Sequence, residues 1–263
     1  MSLFSLDLLG GPWARRLAAR HASLEIDWHG IAGEASESLV ATAREVWTHT
    51  AFSEYASGAS FAEIASALAA AKAPIDLIAA AGEFIADEMF HAELAGRVAM
   101  ALGGAVPLDV DLSRLVRPPS SREPLLRAAE LVVRTCCVGE ALTVPVLNTS
   151  RRVAGSKTIE AVITRILRDE SQHAQLGWWF LDWADLSEGD RMHLGRVAGD
   201  TLKSFSVIFA GECSAEAGLG RLDCSHFDPT FRRAVRDDVV GPLAERGIEV
   251  PLGDVEELIA AAA

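Results

Sequence analysis

The 263-residue chain is half hydrophobic by composition and carries a formal net charge of −13. That apolar content excludes disorder over most of the length and is enough for one large core, while an acidic surface repels phosphate backbones and speaks against nucleic acid as a partner. No apolar run approaches the ~18 residues needed to cross a bilayer, so no membrane association is expected.

Met1–Gly11 has no basic region ahead of its short apolar run, which ends at Gly10-Gly11-Pro12. It reads as mature sequence, and a cytoplasmic location is expected. Residues 1–33 read as irregular, with room for a short helix. From about Glu34 to Ala71 the pattern is helical and free of proline. Pro74 opens a second helix, which Gly103-Gly104 stops after about Leu102. Residues 103–123 form a long connection containing Pro107, Pro118 and Pro119. Pro124 opens a third helix running to about Val153, Gly155 marks a turn, and a fourth helix spans about Ser156–Asp185. Ser187 caps a fifth helix reaching about Gly211. A Gly-rich loop at 218–220 and a last helix near 228–245 complete the chain, and the tail at Ala260–Ala263 is expected to fray. No segment alternates as a strand does. The expectation is an all-α chain: an N-terminal segment (1–33), a four-helix core (34–186), and further helices (187–263) in the same domain.

The four cysteines, Cys136, Cys137, Cys213 and Cys224, form no CxxC pair, which excludes a zinc ribbon or a rubredoxin-type site. Reduced, mostly buried thiols are expected.

Two segments nearly repeat each other: Asp87-Glu88-Met89-Phe90-His91 and Asp169-Glu170-Ser171-Gln172-His173. Each Glu-x-x-His puts a carboxylate and an imidazole on one helix face, a set that suits iron or manganese. Chance alone would produce about 0.6 such pairs in a chain of this composition, so the pair by itself decides little. Two Asp-x-x-His pairs, Asp190/His193 and Asp223/His226, read as surface pairs. Register adds the weight. Glu54 and Glu88 both lie about 17 residues from the first turn, roughly 25 Å along their helices. Glu140 and Glu170 each lie 15 residues from Gly155. Each hairpin thus sets a lone Glu opposite a Glu-x-x-His. Glu45 is misaligned by about two and a half turns. The flanking residues are apolar: Leu77, Ala81, Phe84 and Ala95 around one motif, Ile163, Leu167, Gly177 and Leu181 around the other. Buried carboxylates on such stripes require cations.

The pattern Glu, Asp-Glu-x-x-His, Glu, Asp-Glu-x-x-His over about residues 40–182 resembles the ferritin-like di-iron carboxylate superfamily. That resemblance implies a four-helix bundle of two hairpins joined by one long crossover. It implies two iron ions, or a Mn/Fe pair, with Glu88 and Glu170 bridging, Glu54 and Glu140 terminal, and His91 and His173 each giving one nitrogen. Asp87 would orient His173, and Asp169 would orient His91; the alternative for either Asp is a solvent-facing position. Thr143, one turn after Glu140, is similar to a threonine that handles protons in oxygenases and desaturases, or else it bonds to its own backbone. Pro145 inside the third helix implies a kink.

The activity implied first is that of an O2-dependent oxidase or oxygenase acting on a small apolar molecule with an external electron donor, the protein being a monomer or homodimer. Gly177, beside His173, would leave room for such a substrate. Alternatives are ferroxidase or storage, for which Met89 stands where bacterioferritin has its haem-binding Met, a rubrerythrin-like peroxidase, or a helical protein that keeps metal only for stability. Ile166 stands where the amine oxygenases of the group have an additional His. Trp178, Trp179 and Trp183 are expected to pack against the fifth helix.

Overall fold

The computed structural model describes residues 1–22, 26–209, 216–251 and 253, and these are mostly helical. Helix α1 spans Gly11–Ala22. Helix α2 spans Glu37–Ala70 and begins where the Ser36 hydroxyl accepts the Leu39 amide at 3.1 Å. Lys72, in the left-handed region at φ +55°, turns the chain into α3, Ile75–Ala101. The two helices pack along their length. A Cβ at Gly58 would lie 3.2 Å from Glu88 Cβ and 2.3 Å from Met89 Cε. Glycine there lets α2 close onto α3, and Met89 fills the gap.

The connection to the next helix is pinned at both ends. Asp109–Val110 (β2) pairs antiparallel with Ser2–Leu3 (β1). No strand was expected, because two residues on each side are too few to show an alternating pattern. Further along, the buried Glu130 carboxylate accepts the Ser120 and Ser121 amides at 2.7 and 2.9 Å, and also binds Arg134 and His193 at 3.0 Å each. His193 therefore faces Glu130 and not Asp190, which with Ser187 caps the helix that starts at Glu188.

The third long stretch is not the single helix its sequence suggests. It is α4 (Pro124–Val132), a π-helical segment (Val133–Glu140) and α5 (Ala141–Arg152). Pro145 cannot donate to the Ala141 carbonyl, so regular α geometry loses a hydrogen bond directly after the π segment. The wider turns also change which way the residues up to Glu140 point. Helix α6 (Lys157–Trp183) returns along this stretch, and contacts between α2 and α4 and between α3 and α6 join the two halves.

Helix α7 (Glu188–Phe209) lies against the π segment. The expected end of this helix at Gly211, Cys213 and the terminal alanines lie outside the described residues. Helix α8 (Cys224–Ala234) starts before the expected position because Asp223 caps it, accepting the His226 amide at 2.9 Å. It continues through a second π segment (Val235–Val240) into α9 (Gly241–Glu245) and packs on α5. Cys136 and Cys137 are free and buried as expected, but Cys224 is in a disulfide, which corrects the all-thiol reading. The tryptophans are corrected too. Trp178 lies under Arg246 at 5.1 Å, while Trp179 and Trp183 are exposed.

Two apolar clusters fill the interior. One holds Phe61, Phe84, Val138, Leu176 and Phe180; the other holds Ala51, Phe90, Leu94, Ile163 and Ile166. Along α2, α3 and α6 a change from one cluster to the other falls at Glu54, at Glu88–His91 and at Glu170–His173 respectively. Gly177 belongs to the packing. A Cβ on it would lie 2.6 Å from Cys137 Sγ and 3.2 Å from the Cys137 backbone nitrogen, so this space is filled and is not room for a substrate. Gly177→Ala should therefore destabilise the protein by about 1–3 kcal/mol in denaturant unfolding, although alanine is the better helix former. An equally or more stable variant would contradict this packing.

Candidate metal centre

All six residues singled out by spacing meet in one layer. Glu88 and His91 come from α3, Glu170 and His173 from α6, Glu54 from α2, and Glu140 from the last position of the π segment. Glu88, His91, Glu170 and His173 are almost entirely inaccessible, and Glu140 is 5% exposed. Glu45 is exposed and remote from the layer, as its register implied.

The donors fall into two overlapping sets. Glu54, Glu88, His91 and Glu170 form one; Glu88, Glu140, Glu170 and His173 form the other. Within each, one donor atom per residue lies within 4.8 Å of the others, and Glu88 and Glu170 belong to both. His91 Nδ1 lies 3.0 Å from Glu170, 3.7 Å from Glu54 and 3.8 Å from Glu88. His173 Nδ1 lies 2.9 Å from both Glu88 and Glu170. Both rings thus aim the same nitrogen inward, their centroids 6.0 Å apart. Neither oxygen of Glu88 nor Nδ1 of His91 has a hydrogen-bond partner, although all are buried. Orphaned atoms of this kind are rare, and a buried cation would satisfy them. The described residues therefore contain a buried Glu/His group able to hold metal.

The outward nitrogens are handled by the neighbouring aspartates. His91 Nε2 lies 3.0 Å from Asp169 Oδ2, and Arg165 binds the same carboxylate. His173 Nε2 lies 3.8 Å from Asp87 Oδ2, and Arg20 binds Oδ1 of that carboxylate. Arg165 stands four residues before Asp169, a helical spacing the sequence displayed. Arg20 carried no such signal, because α1 lies outside the four-stretch core. Phe84 and Phe61 wall the His173 ring, with centroids 4.2 and 5.1 Å away, and keep that side dry. The Thr143 hydroxyl donates to the Gly139 carbonyl at 3.0 Å, the backbone alternative.

Electrostatics express the crowding. Burial, reinforced by the charges of Glu170 and Glu88, pushes Glu54 up from 4.5 to about 8, and the same causes raise Glu140 well above its ordinary value. Burial also opposes charge on His173, but Asp87, Glu170 and Glu88 outweigh it and push the imidazole up to about 12. The His91 imidazole is raised against burial by Glu170, Glu54 and Glu88. Glu170 moves down despite burial, because both imidazoles bind it. The metal-free layer thus retains protons that a cation would displace.

Beside the layer, a surface pocket of about 210 Å³ opens between α5, α6 and the second π segment. Its lining includes Ala141, Ser171 and Ala174, which directly follow Glu140, Glu170 and His173, together with Val144, Pro145 and Trp178. Comparison with known proteins adds nothing to this geometry: no protein-family model matches the chain, and no curated protein matches it either.

Glu54 and His173 give the metal-free protein a defined pH response. An acid raised from 4.5 to about 8 contributes stability that is present below 4.5 and lost as pH rises toward 8. A histidine raised from 6.5 to about 12 contributes stability that is present below 6.5 and lost as pH rises further. The thermal midpoint of the metal-free protein should fall from pH 5 to pH 8, and added divalent cation should reverse that slope. A midpoint that rises over this range without metal would contradict the protonated layer.

Proposed function

We propose that the chain is a ferritin-like di-iron carboxylate protein that works as an O2-dependent oxidase or oxygenase on a small, largely apolar molecule. The observation that carries this reading is the pair of overlapping donor sets sharing Glu88 and Glu170. Four carboxylates and two neutral imidazoles balance two divalent cations, and mixed oxygen and nitrogen donors suit iron, with Mn/Fe as the other pairing. Glu88 and Glu170 would bridge, Glu54 and Glu140 would each complete one ion, and His91 and His173 would each give Nδ1. Iron held there supplies the redox chemistry of dioxygen reduction, with electrons from an external donor.

The chain's own residues supply the surroundings. Asp169 holds the His91 ring through its outer nitrogen, and Asp87 faces the outer nitrogen of His173 at 3.8 Å. Phe61 and Phe84 exclude water from the His173 side. The pocket near Glu140 and His173 sets Ala141, Val144, Pro145 and Trp178 opposite Asp237 and Asp238, a mixed lining that supports a small substrate with an apolar body and a polar end. Storage draws no comparable support. Met89 is taken up between α2 and α3 against Gly58, which leaves it unsuited to binding haem at an outer surface.

Loading the protein anaerobically with Fe(II) should give two irons per chain. Glu170→Ala removes a donor common to both sets and should abolish tight binding of the pair. The loaded parent should then consume O2 faster when small apolar substrates are added. A parent that binds no iron, with a Glu170→Ala variant of unchanged stability, would overturn the reading. A 24-subunit assembly in solution would turn it toward storage.

A further inference from the structure

We infer that Arg20, which lies outside the four core stretches, is a positioning residue for the His173 half of the centre. The inference rests on the two-ion reading above and concerns only how one half of the centre is held.

The two halves are built differently. In the His91 half, the arginine that binds the orienting aspartate is Arg165, on the same helix as Asp169 and one turn away. That pair forms whenever α6 forms. In the His173 half, Asp87 sits on α3 but its arginine comes from α1, 67 residues earlier in the chain. Arg20 reaches this position only because the N-terminal segment is laid across α2 and α3. Ser2–Leu3 pairs with Asp109–Val110. The Phe4 ring meets Phe52 at 5.2 Å and Tyr55, the neighbour of Glu54, at 5.8 Å. Leu17 packs on the cluster that contains Phe90 and Leu94.

Glu88 and Glu170 face the inner nitrogen of His173 at 2.9 Å, but its outer nitrogen is left unbonded. His173 Nε2 is buried and has no hydrogen-bond partner within bonding distance; Asp87 Oδ2, at 3.8 Å, is the acidic group that faces it. Arg20 binds the other oxygen of that carboxylate and so fixes the plane in which Oδ2 is presented. The Arg20–Asp87 pair is itself partly exposed, 34% and 20% at the two side chains. Ion pairs at that level contribute little to stability. Loss of this pair alone should therefore change how the ring is held more than it changes folding. The N-terminal segment, which gives no ligand of its own, completes one of the two ion positions.

Co(II) titration of the full-length chain, followed by its visible bands and by metal analysis, tests this. The parent should bind two ions. Arg20→Ala should weaken one of them by about 10–100-fold, the usual cost of losing a group behind a metal-binding histidine, and leave the other within about twofold. Arg20→Lys should restore part of the loss. In a His173→Ala background, Arg20→Ala should have no further effect, whereas Arg165→Ala should still weaken the remaining ion. Two ions bound by Arg20→Ala as tightly as by the parent would overturn the inference and leave the two-ion reading standing. Equal weakening of both ions with a lowered thermal midpoint would also overturn it, because Arg20 would then serve the fold at large. A parent that binds no Co(II) would sink the two-ion reading, and this inference with it.

Discussion

Four carboxylates meet between two apolar clusters, where water cannot solvate them and where each raises the cost of ionising the next. Two imidazoles can offset at most half of that charge. The protein alone settles the conflict by keeping protons on Glu54 and Glu140 and by charging the histidines. Even so, neither oxygen of Glu88 makes a hydrogen bond, although one lies 2.9 Å from His173 Nδ1. Glycine at position 58, aspartates behind both histidines and the irregular turn that delivers Glu140 all make sense as parts of a layer built to surround cations.

The supports around that layer are graded by origin. The helices that carry Glu-x-x-His place two donors each through backbone periodicity alone. Glu140 depends on the π segment and on a stretch that Pro145 has already loosened, and the pocket opens against this irregular side. Under the proposed function, rigid donors on one side and a weakened helix beside a small cavity on the other would let the centre hold metal and admit a small molecule. The space around Gly177 is already occupied by Cys136 and Cys137.

The grouping of the six side chains was legible because helical register is arithmetic. Equal distances of Glu54 and Glu88, and of Glu140 and Glu170, from their turns follow from the rise per residue and need no tertiary information. The helix order and the long crossover were legible through Pro74, Gly103, Pro124 and Gly155, which act locally. What stayed hidden depends on contacts between distant segments or on small departures from regular geometry. Arg20 reaches Asp87 only through the docking of the N-terminal segment. The π segment differs from an α-helix by one residue in its hydrogen-bond ladder, which composition does not announce. Gly177 read as empty space because sequence does not show what faces a glycine across a helix interface.

On the proposed reading these six side chains hold a pair of ions. Anomalous diffraction at the iron edge, from crystals of the Fe(II)-loaded protein, tests it most directly. Two peaks about 3.5–4 Å apart should appear among Glu54, Glu88, His91, Glu140, Glu170 and His173. A single peak, or iron bound only at surface carboxylates, would contradict it.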